Sequence, residues 1–193
     1  TVAAPQPGQA HGQRVHADSF PRAAATGARE WLPPVGDSFA EQIQLFRINA
    51  AELRAEFHLL DRVDELAPLI RRTRDVGGWK RVASHAGELT EIVCNALDLP
   101  VLRADQPYDV NELEKCDAGI TACDALVAQT GSVVITSRGA GGRALSVLPP
   151  HHLVIARREQ LVPDLPAAFE SLQRVYGANY PSFISFITGP SRT

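Results

Sequence analysis

Two short segments combine glycine and arginine directly behind strand-like runs. Ser137-Arg138-Gly139-Ala140-Gly141-Gly142-Arg143 follows Ser132–Thr136, and Gly189-Pro190-Ser191-Arg192-Thr193 follows Phe183–Ile187. Glycine allows sharp turns that bring backbone N–H groups against a ligand, and the flat guanidinium fork fits a carboxylate or a phosphate. Thr130, Gly131 and Ser132, at the foot of the first run, add hydroxyls to the same candidate site. The anion-binding set is therefore Thr130, Gly131, Ser132, Ser137, Arg138, Gly139, Gly142, Arg143, Gly189, Ser191, Arg192 and Thr193, with Arg143 and Arg192 as the anchors. A structural reading stays open beside it, in which the glycines only make tight turns and the arginines are solvated or paired with carboxylates.

Other chemistries fit less well. Gly139-x-Gly141-x-x-Ala144 has the spacing of a dinucleotide fingerprint, but Pro149-Pro150 interrupts the chain where a sustained helix is required. Arg143 stands where a phosphate-binding P-loop needs Lys followed by Ser or Thr. His151 and His152 are adjacent, and neighbours on a strand point to opposite faces, so they are a poor metal pair. One ring is expected near the sheet surface and the other against a helix layer. No G-x-S-x-G elbow marks a serine nucleophile, and no catalytic residue is assigned. Cys94, Cys116 and Cys123 lack C-x-x-C spacing and read as ordinary packed thiols, so no cofactor is expected in this chain.

The elements that must position the loops follow from periodicity. Residues 1–37 are rich in Ala, Gly and Pro and read as a flexible tail, leaving 38–193 as one domain. Ser38 and Glu41 have capping-box spacing ahead of a helix with Phe39, Ile43, Phe46 and Ala50 on one side. A strand is expected over Glu56–Leu60, then a helix capped by Asp61, carrying Val63, Leu66, Leu69 and Ile70 and ending at Gly77-Gly78. Strands over Trp79–Ala83, Pro100–Leu102 and Gly119–Thr121 alternate with helices over Glu88–Leu97 and Val110–Lys115, and Cys123–Ala128 reads as a further helix. Ser132–Thr136 and Leu153–Ala156 are expected to pair antiparallel. A helix over Pro166–Tyr176, with Ala168, Leu172 and Val175 on one side, and a strand over Ser182–Thr188 complete the chain. Together these predict a three-layer αβα domain with a mostly parallel sheet and a possible antiparallel pair, with both arginine loops beyond the carboxyl ends of strands.

With 45% apolar and 21% charged residues, 193 residues suffice for one cored domain. The net charge of −3 is spread without a cationic face, which argues against nucleic acid. No apolar run approaches the roughly 20 residues of a membrane span, and no secretory leader pattern is visible, so a soluble cytoplasmic protein is expected.

Four stretches resemble the LUD-domain proteins of the lactate-utilization protein C type: Ala128–Val134, Gly142–Ile155, Leu161-Val162-Pro163 and Ile187–Thr193. The resemblance covers about residues 38–193 and is specific from about Gly119 onward. It implies a fold similar to the ribose-5-phosphate isomerase and CoA-transferase superfamily. It also implies a cluster-free subunit or accessory factor in oxidation of L-lactate to pyruvate, beside iron–sulfur partner proteins that carry the clusters. The ligand would be a small anion, a lactate- or pyruvate-like carboxylate or a phosphate. The family's usual acidic residue is replaced by Gln129. Its last motif ordinarily runs on into a helix start and a further strand, so the far wall of the site is expected beyond Thr193. The rival reading is a stand-alone enzyme acting on a phosphosugar or CoA ester, and a third is a non-catalytic scaffold.

Overall fold

The computed structural model of the chain describes residues 32–138 and 143–189. Gly139, Gly142, Ser191, Arg192 and Thr193, together with most of the expected N-terminal tail, lie outside the described residues.

Helix α1 (Phe39–Glu52) begins where the capping box predicts: the Ser38 hydroxyl accepts from the Glu41 N–H, and the Glu41 carboxylate accepts from the Ser38 N–H. No strand forms over 56–60. A 3-10 turn at Val63–Glu65 precedes α2 (Leu66–Gly77), and the backbone N–H of Asp61 donates to Glu65, so Asp61 does not cap the helix. Leu66 and Ile70 are buried as the periodicity requires, whereas Val63 is 72% exposed. Gly78, at φ 64°, ends α2 in the left-handed region that favours glycine.

β1 (Val82–Ser84), α3 (Glu88–Leu97), β2 (Val101–Arg103), α4 (Val110–Glu114) and β3 (Ala118–Ala122) follow the predicted alternation within one to three residues. With β6 (His151–Ile155) they build a fully parallel sheet of order β2-β1-β3-β6. Side-chain alternation sorts its core. Val82, Ala118 and Ile120 pack with α2 and α3 on one face, while Ala83 packs with Leu113 of α4 and Leu145 on the other. This sheet has the expected helix–sheet–helix layering.

The second sheet, of order β7 (Leu161–Val162), β4 (Ala125–Val127), β5 (Ser132–Thr136) and β8 (Ile184–Ile187), departs further from expectation. Ala125–Val127 is strand β4, not a helix, and forms a hairpin with β5 (Ser132–Thr136). A three-residue apolar run has too little length for its period to distinguish strand from helix. β5 pairs antiparallel with β4 and with β8 (Ile184–Ile187), while His151–Ile155 pairs parallel with β3. Antiparallel pairing thus exists, but between other strands than Ser132–Thr136 and Leu153–Ala156. β7 (Leu161–Val162) joins β4 in parallel. Asp164 caps α6 (Leu165–Tyr176), whose Ala168 and Leu172 pack on one face of this sheet; Val175 stays exposed. Phe46 and Ala50 of α1 pack on the other face.

α5 (Ala144–Val147) bridges the end of the glycine-rich loop to β6 and lies directly on β3. A Cβ at Gly119 would stand 1.9 Å from the Leu145 carbonyl oxygen, so this contact requires glycine.

Candidate functional site

The antiparallel β5–β8 ladder separates the two arginine-bearing loops. Thr136 is opposite Ile184 and Val133 opposite Ile187, so the first loop leaves where β8 begins and the second leaves where β8 ends. Five residues of strand between Ser132 and Ser137 span about 17 Å. The described candidates on this ladder therefore form two groups, Thr130, Gly131, Ser132 and Gly189 at one end and Ser137 and Arg138 at the other, while Arg143 stands at the start of α5.

In the first group the hydroxyls form a chain: Thr130 Oγ1 lies 2.7 Å from Ser132 Oγ, which lies 2.7 Å from Thr188 Oγ1. These three residues, with Leu165, Phe169 and Phe186, line an open depression of about 270 Å³. The hairpin is fixed from α1, where Asn49 Nδ2 donates to the carbonyls of Ala128 and Gln129 at 2.8 and 3.0 Å. Gly131 at φ 66° passes so close to α1 that a Cβ would meet the Asn49 side chain at 2.9 Å, and Gly189 at φ 81° passes Leu53 similarly. Both glycines are required by conformation and by close approach. Gln129 is 9% exposed and donates through Nε2 to the Pro33 carbonyl, so it serves to anchor residues ahead of α1.

The second group rests on a polar chain that sequence reading missed. The Arg138 N–H donates to Thr136 Oγ1 at 3.3 Å, Thr136 Oγ1 bonds the Tyr176 hydroxyl at 3.0 Å, and that hydroxyl donates to Asp124 Oδ1. One direction of hydrogens satisfies all three links, ending on the carboxylate. Burial first, and then the bond to Asp124, hold the Tyr176 phenol above its usual range. The Arg138 guanidinium lies over the Tyr176 ring, 6.0 Å from its centre. Ser137 adds a hydroxyl contact to Ser182 at 3.2 Å. Arg143 precedes α5 and lines a shallow depression of about 340 Å³ with Ala144, Val147 and Leu148.

Among the described residues, neither Arg138 nor Arg143 forms an ion pair with a carboxylate. Arg81 pairs with Glu112, Arg103 with Glu91 and Arg157 with Glu88, whereas Arg47, Arg54, Arg72 and Arg174, like Arg138 and Arg143, hold no ion pair among the described residues. The carboxyl end of the parallel sheet, where ligands often sit in such folds, is self-satisfied. His85, 6% exposed there, has Nδ1 on the Ala86 carbonyl and receives the Ala122 N–H at Nε2.

The histidines divide as their strand position predicts. His151 is exposed against the Trp79 ring, and His152 is partly buried with Nε2 2.9 Å from Thr121 Oγ1. Burial brings the His152 pKa down to about 4. The three cysteines fall in three different core clusters. Burial raises all three thiols, Cys123 up to about 12.

A parallel sheet clasped by helices, joined to a mixed sheet with a glycine- and arginine-bearing loop, defines an α/β domain. The chain belongs to the LUD domain family, whose pattern matches residues 95–193. It is 36% identical over 86 residues to "Lactate utilization protein C" of Halalkalibacterium halodurans, covering 44% of this chain and 37% of that protein. It is 29% identical over 119 residues to the protein of the same name from Deinococcus radiodurans, covering 61% and 54%. The chain thus matches about two fifths to one half of the length of these curated relatives. The crystal structure of a DUF162 family protein from Deinococcus radiodurans superposes with a TM-score of 0.67 at 26% identity, covering 79% of this chain and 89% of that one.

Proposed function

We propose that this chain serves lactate utilization in the cytoplasm, as a cluster-free component that binds a small carboxylate while iron–sulfur partner proteins carry the electrons. The likeness to proteins named for lactate utilization supports the physiological role. One observation carries the site: Arg138 and Arg143 flank the glycine-rich stretch 139–142 and hold no ion pair among the described residues. A guanidinium beside glycines offers a bidentate partner to a carboxylate such as lactate or pyruvate. Arg143 keeps the anchoring role expected of it, Arg138 is added to it, and Arg192 lies outside the described residues.

Calorimetric titration of sodium L-lactate into the purified chain tests the site. Arg138→Ala and Arg143→Ala are each expected to weaken binding by about 10-fold or more, the worth of one charge-assisted pair, and Arg192→Ala to leave it within about 2-fold. Unchanged affinity in both loop variants contradicts the assignment.

A further inference from the structure

We propose that the open depression beside β8 binds a small uncharged ring carrying a hydroxyl, the phenol class, against the Thr130–Ser132–Thr188 hydroxyl row. The depression lies at the other end of the β5–β8 ladder from Arg138 and stands apart from the carboxylate site proposed above.

Register puts the row on one face of the sheet. Val133 is opposite Ile187, so Ser132 is opposite Thr188, and strand alternation turns both toward α6 together with Val134 and Phe186. Ser132 is 2% exposed, and its Oγ lies 2.7 Å from Thr130 Oγ1 on one side and 2.7 Å from Thr188 Oγ1 on the other. Gly131 and Gly189, at positive φ and hard against α1, fix the two chain segments that carry the row. Ala168 and Leu172 of α6 pack on Ala125, Val127 and Val134, whereas Phe169 stays 53% exposed with its ring 5.1 Å from that of Phe186. These two rings, with Leu165 one turn earlier on α6, give the depression an apolar wall beside its hydroxyls.

The lining defines the ligand. Three hydroxyls carry three hydrogens and the two bonds within the row use two of them, so one O–H remains to donate and a lone pair at the far end remains to accept. A ligand hydroxyl can meet either need, whereas a hydrocarbon that covers the row leaves its free O–H without a partner. None of the six lining residues is charged, and the Asp164 carboxylate, next to Leu165, already accepts the Ala167 N–H at the start of α6. An anion seated here loses water and gains no cation, so the ligand is neutral. A volume of about 270 Å³ falls just below the roughly 300–1,000 Å³ of drug-sized sites, which suits a single ring in offset or edge-on contact with Phe169 and Phe186.

The test titrates the full chain with p-cresol, toluene and p-toluate, three ligands that share one ring, and follows backbone amide shifts by NMR. p-Cresol is expected to shift the Thr130, Ser132, Phe169 and Thr188 signals saturably, with toluene and p-toluate each weaker by about 5-fold or more, the worth of one hydrogen bond. The double variant Thr130→Val/Thr188→Val keeps the shape and leaves only the buried Ser132 hydroxyl, so p-cresol affinity is expected to fall about 5-fold while toluene stays within about 2-fold. Phe169→Ala, at an exposed position, serves if the double variant does not fold, and is expected to weaken p-cresol and toluene alike by about 5-fold. Absence of saturable shifts with p-cresol, or binding of toluene or p-toluate as tight as that of p-cresol, overturns the proposal. So does a folded double variant that keeps the preference for p-cresol, or a Phe169→Ala variant with unchanged affinity.

Discussion

Acidification should unload the fold through one identifiable ring. His152 pairs with Gly119 across the β3–β6 ladder, places Nε2 on Thr121 Oγ1, and is held neutral by burial, with a pKa of about 4 against 6.5 in the unfolded chain. Because its folded pKa is depressed, its contribution is fully present above pH 6.5 and is lost as pH falls from 6.5 to about 4. Linkage gives a loss of about 1.4 kcal/mol at pH 5.5 and about 3 kcal/mol at pH 4, relative to neutrality. Carboxylates confuse this little above pH 5. Glu112, for example, is drawn down to about 2 by its bonds to Lys115 and Arg81, from an ordinary 4.5. The assay is urea unfolding at pH 7, 6, 5.5 and 5, comparing wild type with His152→Asn, which retains a polar partner for Thr121. Wild type should lose stability across this window with a slope that the variant lacks. Equal slopes in the two proteins would refute the assignment of the loss to His152.

Four further outcomes follow from particular contacts. Gly119→Ala drives a Cβ to 1.9 Å from the Leu145 carbonyl and should cost about 3 kcal/mol or more in thermal or urea unfolding. Gly177→Ala, at φ 55° and ψ −124° with no described atom within 4 Å, should cost about 2 kcal/mol or more from backbone strain alone. Asn49→Ala leaves the Ala128 and Gln129 carbonyls without their α1 donor, which should cost about 2 kcal/mol and speed amide exchange in the 128–132 turn. Cys94, Cys116 and Cys123, all buried with raised thiol pKa values, should resist a disulfide reagent at pH 8 in the native state and react fully in denaturant.

Local signals in the sequence defined the elements that use them. The capping box at Ser38, the Gly77-Gly78 stop and the length of the Glu88–Leu97 pattern each act within a few residues, and α1, α2 and α3 form accordingly. Ala125–Val127 carries no local strand signal, because only its pairing with residues 132–134 makes it a strand. The candidate site was legible in residue types but not in assembly. Whether the two loops meet depends on the direction of β8 relative to β5, a pairing across some fifty residues that carries no local signature. The Asp124–Tyr176 bond, 52 residues apart in sequence, was hidden for the same reason. It joins an aspartate inside a stretch expected to be helical to a tyrosine at the end of another helix.

The most direct test of the proposed role is growth. The gene is deleted in its own organism, with no duplicate present, and growth on L-lactate as sole carbon source is compared with growth on a sugar. Complementation uses wild type, Arg138→Ala and Arg143→Ala. A defect confined to L-lactate, restored by wild type and not by the loop variants, is the expected result. Normal growth of the deletion strain on L-lactate would contradict lactate utilization as the function of this chain.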